Sequence, residues 1–150
     1  STLTGRSKAI LLAIMAWCPL AIADTEMYEG ITATPIPLEQ RSATVLGQNY
    51  QLPKGSPAIY AYDIVIKPGQ KTNWHQHLVP LYAYIKSGTL TVDYGSKGKR
   101  TFDKGESYIE AIDWCHQGLN LGDDDLLVFG LYIAQVNPDQ VKPVPCDGPQ

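Results

Sequence analysis

The sequence predicts an all-β fold, an antiparallel jelly roll or closed barrel. From residue 58 onward, β-branched and aromatic runs are broken every eight to twelve residues by Gly, Pro, Asp or Lys. No stretch of this region has the periodicity of an amphipathic helix. A jelly roll or closed barrel leaves few strand edges exposed, which favours either for a set of short strands.

Eight strands are predicted, each ending at a turn signal. They cover residues 59–66, 74–77, 81–85, 89–94, 100–102, 107–111, 115–119 and 126–134. The breaks between them contain the Gly, Pro, Asp and Ser residues that favour tight turns.

The length of 150 residues suits a single domain with one site. Residues 24–55 are rich in Thr, Pro and Gln with weak periodicity, which predicts an N-terminal arm. Residues 56–136 form the predicted barrel, and residues 137–150, with four prolines, form a predicted C-terminal tail.

The N-terminal segment, residues 1–23, is predicted to be a signal peptide. Arg6 and Lys8 precede fifteen uncharged residues that end in Ala-Ile-Ala, the small-x-small pattern of a cleavage site. Fifteen helical residues would span only about 22 Å of a hydrocarbon core of about 30 Å, and Pro19 interrupts them. We therefore expect no stable membrane insertion, a mature chain that begins at Asp24, and a periplasmic or secreted protein.

The net charge and the cysteine content indicate which partners and which cellular compartment are expected for this protein. The net charge of −3, with no run of five or more like charges, indicates no nucleic-acid partner. Cleavage after residue 23 would leave Cys115 and Cys146, which favours one disulfide in an oxidising compartment, with two free buried thiols as the alternative.

The spacing of the three histidines is the strongest chemical signal. His75 and His77 are two apart on a predicted strand, so their side chains leave the same face, and His116 follows about forty residues later. Neutral imidazole suits Zn, Cu, Fe and Ni, and three protein ligands leave positions open. Taken alone, a His-x-His pair is more often surface decoration or core packing.

The histidines belong to a longer pattern that resembles the two motifs of the cupin family, G-x5-H-x-H-x3-E-x6-G and G-x5-P-x-G-x2-H-x3-N. Seven of the ten fixed positions match: Gly69, His75, His77, Gly88, Gly105, His116 and Asn120. The resemblance covers about residues 58–135 and is nearest to small exported bacterial cupins of unassigned activity. It implies an antiparallel double-stranded β-helix (a jelly-roll cupin barrel), one divalent transition metal ion (Fe, Mn, Zn, Cu or Ni), and a homodimer, since cupins commonly pair.

The sequence departs from the family pattern at three positions. Leu81 stands where the family has its usual carboxylate ligand, and Ala111 and Asp113 replace a proline and a glycine. An ion of charge +2 among neutral histidines then lacks charge compensation. Glu110, which is predicted to share a strand face with Tyr108, is the first choice for the missing carboxylate ligand. If it is not a ligand, an external anion should complete the site. The alternative for Glu110 is a solvated side chain on the surface.

The predicted cavity wall is small and apolar. Leu81, Ala83, Ile85 and Tyr108 are predicted to line it, which favours a small-molecule ligand or substrate with an apolar part, anionic if Glu110 is not a ligand. The first functional hypothesis is a metal-dependent enzyme, similar to the three-His dioxygenases of the superfamily. The alternative is a non-catalytic extracytoplasmic protein that binds a metal or small ligand. A barrel that has lost its metal and serves in assembly ranks last.

Overall fold

The computed structural model of this chain describes residues 29–150, so the predicted signal peptide lies outside the described residues. Residues 29–34 contain a turn and no strand. Pro35–Gln150 is a compact unit of its own and contains all the described strands. Within residues 29–150, no helix has the length and apolar character needed to cross a membrane.

Residues 29–150 form nine strands and two short 3-10 helices, Gly95–Lys97 and Pro138–Val141. The strands are β1 (Pro57–Ile66), β2 (His75–Gln76), β3 (Leu81–Ser87), β4 (Thr89–Asp93), β5 (Lys99–Asp103), β6 (Ser107–Ile109), β7 (Gln117–Leu119), β8 (Leu126–Gln135) and β9 (Val144–Pro145). The all-β prediction is confirmed, and each of the eight predicted strands is present with ends within two residues of those expected. The ninth strand lies in the predicted tail.

The strands form antiparallel sheets around one apolar interior. One sheet has the order β1-β8-β3-β6, a second has the order β5-β4-β7, and β2 pairs with β9. Strand β8 throughout, and β3 from Leu81 to Ile85, alternate between buried and half-buried residues, as expected of strands with one face inward. Buried side chains from the two larger sheets belong to a single cluster, which includes Ala83, Ile85, Leu90, Val92, Leu126 and Val128.

Both ends of the unit are attached to the barrel. In the predicted arm, Leu38 forms a parallel bridge with Ser107, and the Val45 amide donates to the Ile109 carbonyl at 2.8 Å. In the predicted tail, a disulfide joins Cys115 and Cys146, whose Cα atoms are 6.1 Å apart, so the favoured pairing of these cysteines is confirmed. The last residues are therefore not a free tail.

The turn between β3 and β4 depends on Gly88, and we predict that alanine at this position lowers the free energy of unfolding more than at other turn glycines. Gly88 has a φ of +80°, and an added Cβ would lie 2.9 Å from the Asp125 carbonyl oxygen and 3.1 Å from the Leu126 Cα. Gly105 is the matched control, because its φ is +89° and nothing lies within 4 Å of its Cβ position. We expect Gly105→Ala to lower the free energy of unfolding by about 1–2 kcal/mol, from backbone strain alone, and Gly88→Ala to lower it further. Equal losses in urea unfolding would show that the contact with residues 125–126 relaxes freely.

Candidate metal centre

The three histidines converge at one point of the interior. Their candidate ligand atoms all lie within 4.8 Å of one another. His77 and His116 are 5% and 2% exposed, and His75 is half-buried. The backbones of His75 and His116 face each other across an antiparallel bridge, with N···O distances of 3.0 and 2.9 Å. The structure thus brings together the three side chains that the sequence pattern singled out.

The segment that carries His75 and His77 is held by polar contacts with its neighbours. Thr72 makes two hydrogen bonds with Gly118 of β7: its backbone amide donates to the Gly118 carbonyl at 2.9 Å, and its side-chain hydroxyl accepts from the Gly118 amide at 3.0 Å. On the other side, the Asp113 amide donates to the His77 carbonyl at 2.9 Å. Asp113 has a φ of +51°, a conformation that Asp tolerates better than most residues, at the position where the family motif has glycine.

Hydrogen bonds fix which nitrogen of two rings is available. Nδ1 of His75 is 2.7 Å from the Asn73 carbonyl oxygen, and Nδ1 of His116 is 2.8 Å from the Trp114 carbonyl oxygen. A carbonyl can only accept, so each Nδ1 carries a proton, and in the neutral ring Nε2 is the nitrogen with the lone pair. Metal-binding histidines commonly have this arrangement, in which a backbone partner orients the ring.

The third ring, His77, has a buried nitrogen without a partner. Among the described residues, its Nδ1 is the one buried side-chain nitrogen or oxygen that makes no hydrogen bond. Burial lowers the pKa of His77 well below its ordinary value, with the neighbouring His116 and His75 acting in the same direction. Burial likewise lowers the pKa of His75. Neutral imidazole is the form that binds metals, and each of the three rings offers one ligand atom within 4.8 Å of the others, which fits a metal centre.

Glu110 lies beside this cluster and is 3% exposed, so the alternative of a solvated surface side chain does not hold. Its Oε1 accepts hydrogen bonds from the Tyr94 hydroxyl and the Ala111 amide, both at 2.7 Å. Its Oε2 accepts from the Tyr108 hydroxyl at 3.2 Å and lies 3.5 Å from His116 Nε2. Burial raises the pKa of both tyrosines above their ordinary value, so they retain the protons that they donate.

Leu81 and Glu110 are neighbours on adjacent chain segments. The Glu110 amide donates to the Leu81 carbonyl at 2.9 Å. The carboxylate of Glu110 therefore approaches the histidines from the chain segment that neighbours Leu81, the position at which the family pattern has its carboxylate. Tyr94, which holds this carboxylate, was not among the predicted site residues. Its parity with Leu90 and Val92 on a predicted strand was the available signal.

The histidines open onto a cavity of about 430 Å³. The wall is mainly apolar, and Leu81, Ala83 and Tyr108 line it. Ile85, which was predicted to line it as well, does not: it is 0% exposed and packs within the core cluster, so it has no surface left to face the cavity. The lining also includes Pro143 and Pro145 from the C-terminal segment, which the sequence did not indicate.

Comparisons with known proteins reveal likeness in structure. No family model matches the chain, and neither does any curated protein at a significant level. One similar solved structure is a chain from crystal structures of the DMSP lyases RdDddP and RnDddQII, with a TM-score of 0.51, 18% identity and coverage of 59% of this chain and 44% of that chain. Another is an RmlC-like cupin family protein with a double-stranded β-helix fold from Methanocaldococcus jannaschii, with a TM-score of 0.48, 16% identity and coverage of 51% and 71%. A cupin domain from Bordetella pertussis Tohama I has a TM-score of 0.44 and 20% identity, and the match covers 57% of this chain and 98% of that one.

These findings concern the fold of the protein. The chain has the cupin fold, an antiparallel double-stranded β-helix. Inside it, three histidines lie close enough together to hold a metal ion.

Proposed function

We propose that this protein is a metal-binding cupin that acts on a small molecule. In this proposal His75, His77 and His116 hold one divalent transition metal ion, and the small molecule occupies the adjoining cavity. The observation that carries the proposal is the convergence of three imidazoles on this cavity, one of them with a buried nitrogen that lacks a partner. When bound, such an ion would supply Lewis acidity or activate dioxygen.

Glu110 supplies the negative charge that three neutral imidazoles lack. Its Oε1 is engaged by two donors at 2.7 Å, which fixes the carboxylate and leaves Oε2 toward His116. Because the surroundings are buried, an uncompensated ion would be costly there. The carboxylate takes the part that the family assigns to the position of Leu81, and its direct ligation of the ion stays a prediction.

The cavity favours a ligand with an apolar body, and an anionic group on it is expected only if Glu110 does not ligate the ion. Side chains such as Ile64, Leu90 and Val128 form its wall, and among the described residues no Lys or Arg lines it. An anionic group on the ligand would therefore find its positive partner in the ion. The predicted homodimer stays a prediction.

Among the described residues that line the cavity, the groups able to accept a proton at neutral pH are the histidines and Glu110. The pKa of Tyr108 is raised well above its ordinary value, and burial raises the pKa of Tyr132 to about 12. Both tyrosines line the cavity, and neither accepts a proton at neutral pH. This supports either a dioxygenase-like reaction, in which the ion supplies the chemistry, or the second candidate, non-catalytic capture of a metal or small ligand outside the cytoplasm. The disulfide supports the proposed periplasmic or secreted location, since such bonds persist in oxidising compartments.

Elemental analysis of the protein purified from its own compartment tests the proposal. We expect about one transition metal ion per chain, as three converging ligands imply. A dioxygen electrode with a panel of small carboxylates then separates the candidates: consumption of dioxygen favours the enzyme, and ligand binding without turnover favours the binding protein. A chain that binds none of Fe, Mn, Zn, Cu and Ni when each is supplied separately would refute the metal centre and the metal-dependent enzyme, and would leave only the capture of a small ligand.

A further inference from the structure

We infer that the C-terminal segment from Lys142 to Cys146, here called the closing segment, is a wall of the ligand site, and that the Cys115–Cys146 disulfide holds it there. The inference rests on the proposed function for what the cavity binds. What is new is the identity of the residues that limit access to the cavity.

The closing segment lies directly against the histidines. Its strand β9 pairs with β2 in the register His75 opposite Pro145, and the Cys146 amide donates to the Trp74 carbonyl at 3.2 Å. Pro143 and Pro145 both line the cavity. The backbone of His75 therefore has His116 on one side and the closing segment on the other.

The closing segment has few contacts of its own besides the disulfide, and the chain is anchored on either side of it, by the buried Val141 before it and by the Gln150 carbonyl, which accepts from the Ser96 amide at 2.8 Å, after it. The strand β9 has two residues, one of which is a proline without an amide hydrogen, so its ladder with β2 is short. Pro143 and Pro145 are exposed on their other side and Val144 is only half-buried. The disulfide supplies the strongest constraint, because it ties Cys146 to Cys115, the residue directly before His116. A segment with few buried contacts opens readily once such a tie is removed.

The test compares the oxidised full-length protein with the Cys115→Ala/Cys146→Ala variant, both free of metal. Diethyl pyrocarbonate modifies accessible neutral imidazole, and mass spectrometry reports the rate at each histidine. We expect His75 to react about tenfold faster in the double variant, because local opening of the closing segment exposes it. After loading with zinc, release to a chelator should accelerate by a similar factor.

Gly88→Ala is the matched control, since it is expected to destabilise the fold at a turn far along the chain from the closing segment. Equal acceleration in Gly88→Ala would show a general loss of stability and would overturn the inference, as would an unchanged His75 rate in the double variant. If the double variant does not fold, Pro143→Gly/Pro145→Gly keeps the disulfide and removes the wall side chains, and it must also speed the labelling of His75. Faster labelling in a protein that binds no metal would support the wall and refute the proposed function.

Discussion

His116→Ala should abolish stoichiometric metal binding while the protein stays folded. His116 is 2% exposed, its Nδ1 is held by the Trp114 carbonyl, and its Nε2 faces Glu110. Loss of an outer partner typically weakens metal binding about 10–100-fold, so loss of a ligand itself should exceed about 100-fold. Isothermal titration of the metal-free protein with zinc, checked by elemental analysis after dialysis, measures the effect.

Gln117→Ala provides the control for His116→Ala on the next residue of the chain. Gln117 is buried, and its side-chain amide donates to the Thr72 carbonyl at 2.7 Å. Removal of this side chain therefore also disturbs the loop before His75. We expect Gln117→Ala to lower the free energy of unfolding by about 1–3 kcal/mol, because the buried acceptor loses its donor, and to keep a stoichiometry near one ion per chain. Retention of one tightly bound ion by His116→Ala would contradict the three-histidine centre.

The sequence predicted the sheet and the histidines because both depend on strong, local patterns. Strand β8 is an apolar run, LLVFGLYIAQ, that follows a Gly-Asp-Asp-Asp turn, and its residues alternate between buried and half-buried positions. His75 and His77 share a face for the same reason. The fixed spacing of the two motifs then indicated that His116 would join them.

Other features were beyond sequence reasoning because they depend on contacts that are distant along the chain. Strand β9 has two residues in a stretch with several prolines, so no periodicity marks it, and its pairing with β2 depends on the return of the C-terminal segment. Parity placed Ile85 on the inner face with Leu81 and Ala83, and that much agrees with its burial. Parity does not report how far along a strand the core is filled, which is why Ile85 lies in the core and not in the cavity wall.

Glu110→Gln should weaken metal retention by about 10–100-fold, the range for a charged group next to a metal ligand. The substitution keeps the size of the side chain and can still accept from Tyr94 and the Ala111 amide through its oxygen. The new amide group then occupies the place of Oε2, 3.5 Å from His116 Nε2. There it brings no negative charge and can donate to the lone pair that the ion needs. Competition titrations with a calibrated chelator measure the change.

Leu81→Glu, combined with Glu110→Gln, tests whether the loss of metal affinity is due to the missing negative charge beside the histidines. Leu81 lines the cavity, and its carbonyl accepts from the Glu110 amide, so a carboxylate at residue 81 enters the same region from the neighbouring segment. We expect this double variant to regain a large part of the lost affinity, whereas Leu81→Gln in the same background should regain none, because it adds a polar group without charge.

Acetate provides a second measure: it should raise the metal affinity of Glu110→Gln more than that of the unchanged protein, since only the variant lacks a nearby anion. Equal affinity of Glu110→Gln and the unchanged protein, with no response of either to acetate, would show that the ion needs no carboxylate at this site.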